Sequence, residues 1–202
     1  MSKIGILAYG SLINDPGAEI SKLISEEIQV MTPFPVEFVR ISKTRGAAPT
    51  VAPYKSGRPV KAKLFVLKDS VLLQDAKSLL WRRETRKEGL DRDYRESTGL
   101  NAVIIRDRPG FHGLDHALYT DFNPSGKIND PDPGELAKAA IDSVAKAPDG
   151  KDGITYLMDI ISIGIETQLT LAYQKEILAQ TGTLSLAEAL TLARSRGKEP
   201  RD

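Results

Sequence analysis

The spacing of hydrophobic positions changes along the chain. Over the first two thirds they come in short runs or alternate, and over the last third they recur every three or four residues. These are the periods of strands and of amphipathic helices. Lys3–Tyr9 is an apolar run ending at Gly10-Ser11 and predicts a buried strand. Asp15 and Pro16 suit the N-cap and first position of a short helix reaching Ser25. Phe34–Ile41 alternates, and Pro33 and Pro35 push its start toward a sheet edge. Thr50–Pro53 and Val60–Leu67 flank Lys55-Ser56-Gly57-Arg58-Pro59, turn chemistry that predicts a hairpin. Asp69 then caps a predicted helix to about Lys87, with Leu72, Ala76, Leu79 and Leu80 as its apolar stripe and Gly89 as its stop.

Leu100–Ile105 and Ala117–Phe122 read as two further strands. The segment from Asn123-Pro124-Ser125-Gly126 to Pro131-Asp132-Pro133-Gly134 reads as a loop. Helices are predicted over Glu135–Ala147, Gly153–Gly164, Gln168–Gln180 and Ser185–Arg194, with a polar, frayed tail over Ser195–Asp202. Strands first and helices later define an α+β class. Five or six short strands suit a closed or nearly closed, antiparallel-rich sheet with the C-terminal helices packed on one side. The helical third is too small for a comfortable core of its own. One domain over residues 1–202 is therefore expected, with strands and the middle helix in 1–123, helices in 133–194 and the tail in 195–202.

Composition narrows the function classes. Twenty-eight Lys and Arg stand against 27 Asp and Glu, a net charge of +1, which argues against a nucleic-acid binder that works by neutralising phosphates. The absence of cysteine removes disulfides, thiolate nucleophiles and Cys-ligated metals. No signal peptide or membrane-spanning run is visible, so a cytoplasmic protein is expected. His112 and His116 lie four apart, but Pro109-Gly110 and Gly113 break any helix that would set them on one face. No Walker A, G-x-G-x-x-G or His-Glu-x-x-His pattern occurs, and Gly10-Ser11 lacks the G-x-S-x-G frame. No metal or cofactor is expected.

Two features remain. Tyr9-Gly10-Ser11-Leu12 closes the first strand with a glycine, which lets successive N–H groups turn toward one point. By itself it reads as an ordinary strand-to-loop corner. Glu84 follows the stripe within Leu79-Leu80-Trp81-Arg82-Arg83-Glu84, at the rim of the buried face. In the last helical turn the macrodipole disfavours an anion, whereas Arg82, Arg83 and Arg86 favour one. A surface Glu in an ion-paired helix end and a site carboxylate both fit. The interleaved Glu84, Glu88, Asp91 and Asp93 make the run Arg82, Arg83, Arg86, Lys87 and Arg92 read as a solvated mixed-charge face.

Together and in this order, the two features resemble the γ-glutamylcyclotransferase-like family, nearest its glutathione-specific branch. The Y-G-S-L opening matches Tyr9–Leu12, an R-E dipeptide at a helix end matches Arg83-Glu84, and Arg45-Gly46 with Pro49-Thr50-Val51 resembles that branch's Arg-Gly segment. Ala8 and Asn14 stand where the branch commonly has a glycine and an aromatic residue, leaving the leaving group open.

The resemblance implies a small mixed β-barrel with flanking helices and a C-terminal helical extension. It also implies Glu84 as general acid and base, and Tyr9, Gly10, Ser11 and Leu12 as substrate-binding residues. The implied reaction is intramolecular: the α-amine of a γ-glutamyl group attacks its own γ-carbonyl, giving 5-oxoproline and a free amine. Nucleophile and electrophile share one molecule, so no Ser or Cys nucleophile is required and proximity supplies much of the rate. The partner is then a small γ-glutamyl compound. An amide hydrolase using the same pocket, or a non-catalytic binding module on the same fold, are the alternatives.

Overall fold

The computed structural model describes residues 2–197; the last five residues of the predicted tail, from Lys198, lie outside the described residues. Two compact units are present. One comprises the described residues of Met1–Pro33 together with Val60–Gly126, and the other comprises Phe34–Pro59 with the described residues of Lys127–Asp202.

The first unit is built on β1 (Ile4–Ala8), β2 (Ile24–Met31), β5 (Lys61–Leu67), β6 (Val103–Asp107) and β7 (His116–Phe122). The intervening β3 (Val36–Ser42) and β4 (Ala48–Pro53) belong to the second unit. The five strands form one sheet in the order β2-β5-β1-β7-β6. β1 runs antiparallel to β5 and parallel to β7. All five residues of this central strand are buried, which is why its sequence is a continuous apolar run with no alternation.

β2 was not predicted. Only Val30 within it is fully buried, and a register shift between Ile24 and Glu26 interrupts its alternation. It is an edge strand bearing Glu26 and Glu27, the kind of charged, bulged edge that resists pairing with other chains. The predicted helix over Asp15–Ser25 shrinks to α1 (Ala18–Ser21), entered through Gly17 at φ +80° rather than capped by Asp15.

α2 (Leu73–Thr85) packs on β1, β6 and β7. Its core residues are Ala76, Leu79 and Leu80, whereas Leu72 is exposed and precedes the helix. Burying each leucine contributes about 1.5–3 kcal/mol. Asp69 does not cap the helix, and α2 stops at Arg86 (φ +54°), ahead of Gly89, with the Arg86 N–H donating to the carbonyls of Arg82 and Arg83. Tyr94 then ties the 86–102 segment to its neighbours. Its N–H donates to Ser78 Oγ, its carbonyl accepts from Gln74, and its hydroxyl accepts from Ile105 N–H.

The expected closed sheet does not form among the described residues. β2 and β6 are free edges of the five-stranded sheet, and β3 pairs only with β4 in a separate antiparallel ribbon. The hairpin predicted around Lys55–Pro59 is likewise absent, because β4 pairs with β3 while β5 pairs with β1 and β2. The 54–59 turn exists, but it folds back on the start of β3. Val36 N–H donates to the Arg58 carbonyl, and a Cβ on Gly57 would lie 2.3 Å from the Val36 carbonyl oxygen. Turn residues announced a reversal without naming the strand it returns to.

In the second unit the ribbon is joined by α3 (Pro133–Ser143), α4 (Gly153–Ser162), α5 (Thr170–Thr181) and α6 (Leu186–Arg196). These are the four predicted helices with ends shifted by a few residues. Asp132, Asp152 and Ser185 cap α3, α4 and α6 through the N–H groups of Glu135, Thr155 and Glu188. α3 packs on α5 and β4, and Phe38 of β3 meets Tyr173 of α5 edge to face at 4.9 Å. No described helix is long and apolar enough to cross a membrane.

Candidate functional site

The predicted site residues all fall in the first unit. β1 delivers Tyr9 in extended backbone (φ −134°), and Gly10 turns the chain at φ +61° into a 3₁₀ turn over Gly10–Ile13. A side chain at position 10 would be strained by that positive φ. The turn is anchored on both sides. The Tyr9 hydroxyl donates to the Thr120 carbonyl at 2.7 Å, and the Leu12 and Ile13 side chains are buried beneath it. Ser11 is half-buried, and among the described residues its Oγ makes no hydrogen bond. The N–H groups of Gly10 and Ser11 open the 3₁₀ turn and have no acceptor inside it, whereas the Leu12 N–H is the first donor of its i→i+3 ladder, to the Tyr9 carbonyl.

The chain leaving the turn leads to the second predicted feature. The N–H groups of Asn14 and Asp15 donate to the Ser11 carbonyl. The Asp15 carbonyl in turn accepts from Arg83, through Nε at 2.8 Å and Nη2 at 2.5 Å. Arg83 Nη1 donates to Glu84 Oε1 at 2.5 Å. A single guanidinium thus spans from the segment following the turn to the Glu84 carboxylate. The two predicted features are joined by a continuous hydrogen-bonded path: Ser11 carbonyl, Asp15, Arg83, Glu84.

Glu84 does not point into bulk water. Its side chain is 11% exposed and that of Arg83 10%. Its oxygens differ: Oε1 is held by Arg83, while among the described residues Oε2 makes no hydrogen bond and is not buried. A carboxylate so arranged is fixed at one oxygen and open to a proton donor at the other.

The arginines correct one expectation. Arg82 and Arg83 are not on a solvated face; Arg82 is 15% exposed in its side chain and donates to Glu19 at 2.9 Å and to the Arg92 carbonyl. Glu19 also accepts from Gly89 N–H. Burial raises the Glu19 carboxyl, but the Gly89 N–H and the Arg82 guanidinium outweigh it and hold the group below the usual carboxylate range. Arg86, Glu88, Asp91, Arg92 and Asp93 are exposed as expected. Gly17 packs against the same helix end, where an added Cβ would lie 2.2 Å from Glu88 Oε1 and 3.0 Å from Arg83 Cγ.

Arg83, Asp15 and Gly17 were not singled out as site residues. Pro16-Gly17 signalled a turn, but nothing local reveals that this turn reaches a helix 68 positions away. The histidines take no part. His116 Nδ1 lies 2.6 Å from Asp107, and His112 sits in a turn against Phe111. Among the described residues no group of three His, Asp or Glu is placed to hold a metal ion. Arg45 belongs to the second unit, where it lies over the Tyr156 ring at 4.7 Å. Two open concavities of about 430 and 480 Å³ also lie in that unit, along α6 and between α3 and α5. Neither includes a predicted site residue.

No family model matches the chain, and no curated protein matches it in sequence. Among solved structures the chain is similar to the crystal structure of a γ-glutamyl cyclotransferase specific to glutathione from yeast, with a TM-score of 0.45 and 13% identity over 98% of this chain and 100% of that one. A likeness at that level decides neither fold nor function.

Proposed function

We propose that this protein is an enzyme of the γ-glutamylcyclotransferase type, converting a γ-glutamyl amine or peptide to 5-oxoproline and the free amine. The observation that carries the reading is the state of Glu84: shielded from water, fixed at Oε1 and open at Oε2. The Y-G-S-L and R-E matches supply the chemistry to which such a carboxylate is suited.

In this reading the γ-glutamyl group lies between the turn and Glu84. The N–H groups of Gly10 and Ser11, which the turn leaves without an acceptor, hold its polar end or the oxyanion that forms at the γ-carbon. Tyr9 and Leu12 keep the turn in shape, and Ser11 Oγ orients the substrate. The attacking α-nitrogen, ordinarily an ammonium with pKa ~8, gives its proton to Glu84 Oε2. A new C–N bond closes the ring, and the tetrahedral centre collapses with rupture of the original amide C–N bond. The protons lost by the attacking nitrogen end on the departing one, with Glu84 as carrier. Atoms and charge balance without any outside reagent.

Among the described residues Ser11 Oγ is hydrogen-bonded to no base, and His116 is paired with Asp107 instead, which does not favour a serine nucleophile. The test is incubation with glutathione, γ-glutamyl amino acids and γ-glutamyl amines, followed by assay for 5-oxoproline. Its release from at least one compound is expected. Free glutamate would make the protein an amidohydrolase, and ligand-induced stabilisation without product would make it a binding module.

A further inference from the structure

We infer that Arg83 is a positioning residue that fixes Glu84 and couples its placement to the segment leaving the Tyr9–Leu12 turn; this rests on the functional reading above. Three observations converge on it. First, all the polar contacts of the guanidinium go to two destinations, the Asp15 main chain and carboxylate on one side and Glu84 on the other. Second, the side chain is almost wholly covered, so those contacts are not exchanged freely with water. Third, the loop lies close against the same helix end: a Cβ on Gly17 would be 2.2 Å from Glu88 Oε1 and 3.0 Å from Arg83 Cγ.

A guanidinium presents its donors in one rigid plane. With Nε and Nη2 both on the Asp15 carbonyl, the direction of Nη1 is set, and with it the position of Glu84 Oε1. The free oxygen, Oε2, is thereby aimed by the loop. A shift of Asp15 moves Glu84. Because Asp15 N–H is bonded to the Ser11 carbonyl, anything that repositions the turn, including a bound substrate, is felt at the proton acceptor. The Arg82–Glu19 ion pair ties α1, which follows directly, to the same helix end. Three of the five Arg83 N–H groups are committed to the Asp15 carbonyl and to Glu84.

The test compares Arg83→Met, Arg83→Lys and Gly17→Ala with the wild type. In Arg83→Met, kcat for 5-oxoproline release falls about 10–100-fold, the scale of a misplaced catalytic group, while KM changes less than about threefold. Arg83→Lys recovers part of the loss, because an ammonium holds one oxygen without dictating its direction. Gly17→Ala lowers kcat by a smaller factor although it removes no polar group. An activity-independent readout is labelling of Glu84 by a water-soluble carbodiimide and an amine, mapped by mass spectrometry with exposed Glu96 as reference. Labelling at Glu84 rises severalfold in Arg83→Met relative to Glu96 and falls back in Arg83→Lys. Unchanged kcat in Arg83→Met, or unchanged Glu84 labelling, would overturn the inference. If the wild type releases no 5-oxoproline from any γ-glutamyl compound, the functional reading fails, while the labelling still decides whether Arg83 positions Glu84.

Discussion

Glu37 in the second unit and Glu84 in the first are both shielded, and they are handled in opposite ways. Glu37 on β3 is 1% exposed, and both oxygens are occupied. Oε1 accepts from its neighbour's N–H (Phe38) and from Thr167 Oγ1, and Oε2 accepts from Leu169 N–H at the start of α5. Its partners are neutral donors at a helix N-terminus, where the aligned peptide dipoles also favour an anion. α5 has no side-chain cap of its own, so Glu37 fills that role from a distant strand. Glu84 sits at the opposite kind of place, the last turn of α2, with one oxygen on an arginine and the other without a hydrogen bond. A fully satisfied carboxylate holds structure together. One that is half satisfied at an unfavourable helix end is maintained for some other reason, and proton transfer is the reason proposed here.

The sharpest way to break this contrast is to neutralise each carboxylate in turn. Glu84→Gln is expected to lower 5-oxoproline formation by at least ~10²-fold with little change in the urea midpoint. Glu37→Ala should do the reverse, costing about 2–4 kcal/mol because three donors lose their acceptor, while kcat of the folded fraction stays near the wild-type value. A fall in stability for Glu84→Gln matching that of Glu37→Ala would make both residues structural. Ser11→Ala has a smaller effect, a severalfold loss of turnover. Complete loss, with a covalent adduct trapped on the wild-type serine, would favour a serine hydrolase instead.

The smallest effect concerns pH. The Glu19 carboxyl lies below its usual range in the folded protein, so the unfolded chain binds its proton first. Its contribution is therefore fully present above the unfolded pKa of ~4.3 and is lost as pH falls through the folded value. The urea midpoint of the wild type should drop on acidification below about pH 4.5 more steeply than that of Glu19→Gln. Parallel curves would show that the Arg82–Glu19–Gly89 contact contributes nothing measurable.

Much of the fold is visible in the hydrophobic pattern because β1, β5, β7 and α2 bury apolar residues at regular spacing. β2 is not, since its burial is nearly one residue deep and a bulge breaks its alternation. Strand partners were also illegible. Period and turn chemistry give the element and the reversal, but pairing is decided by which apolar faces find each other, and that produced an open sheet with a separate ribbon where one closed sheet was expected. Tyr9–Leu12 and Glu84 are visible locally as a glycine at a strand end and a carboxylate at a helix rim, but both have ordinary readings, and only the resemblance to the Y-G-S-L and R-E patterns singles them out. Arg83 stands out in the sequence as half of the R-E match and otherwise as one charge in a mixed run, since its contact with Asp15 is one that no spacing encodes.

The account stands on a single γ-glutamyl group reaching both the turn and residue 84. The most direct measurement is a crystal structure of Glu84→Gln soaked with a γ-glutamyl compound, in which chemistry is stopped and binding is not. The account predicts the α-nitrogen of the ligand within hydrogen-bonding distance of the residue 84 side chain and a ligand oxygen on the N–H groups of Gly10 and Ser11. A ligand bound with its α-nitrogen turned away from residue 84, or seated elsewhere on the protein, would contradict it.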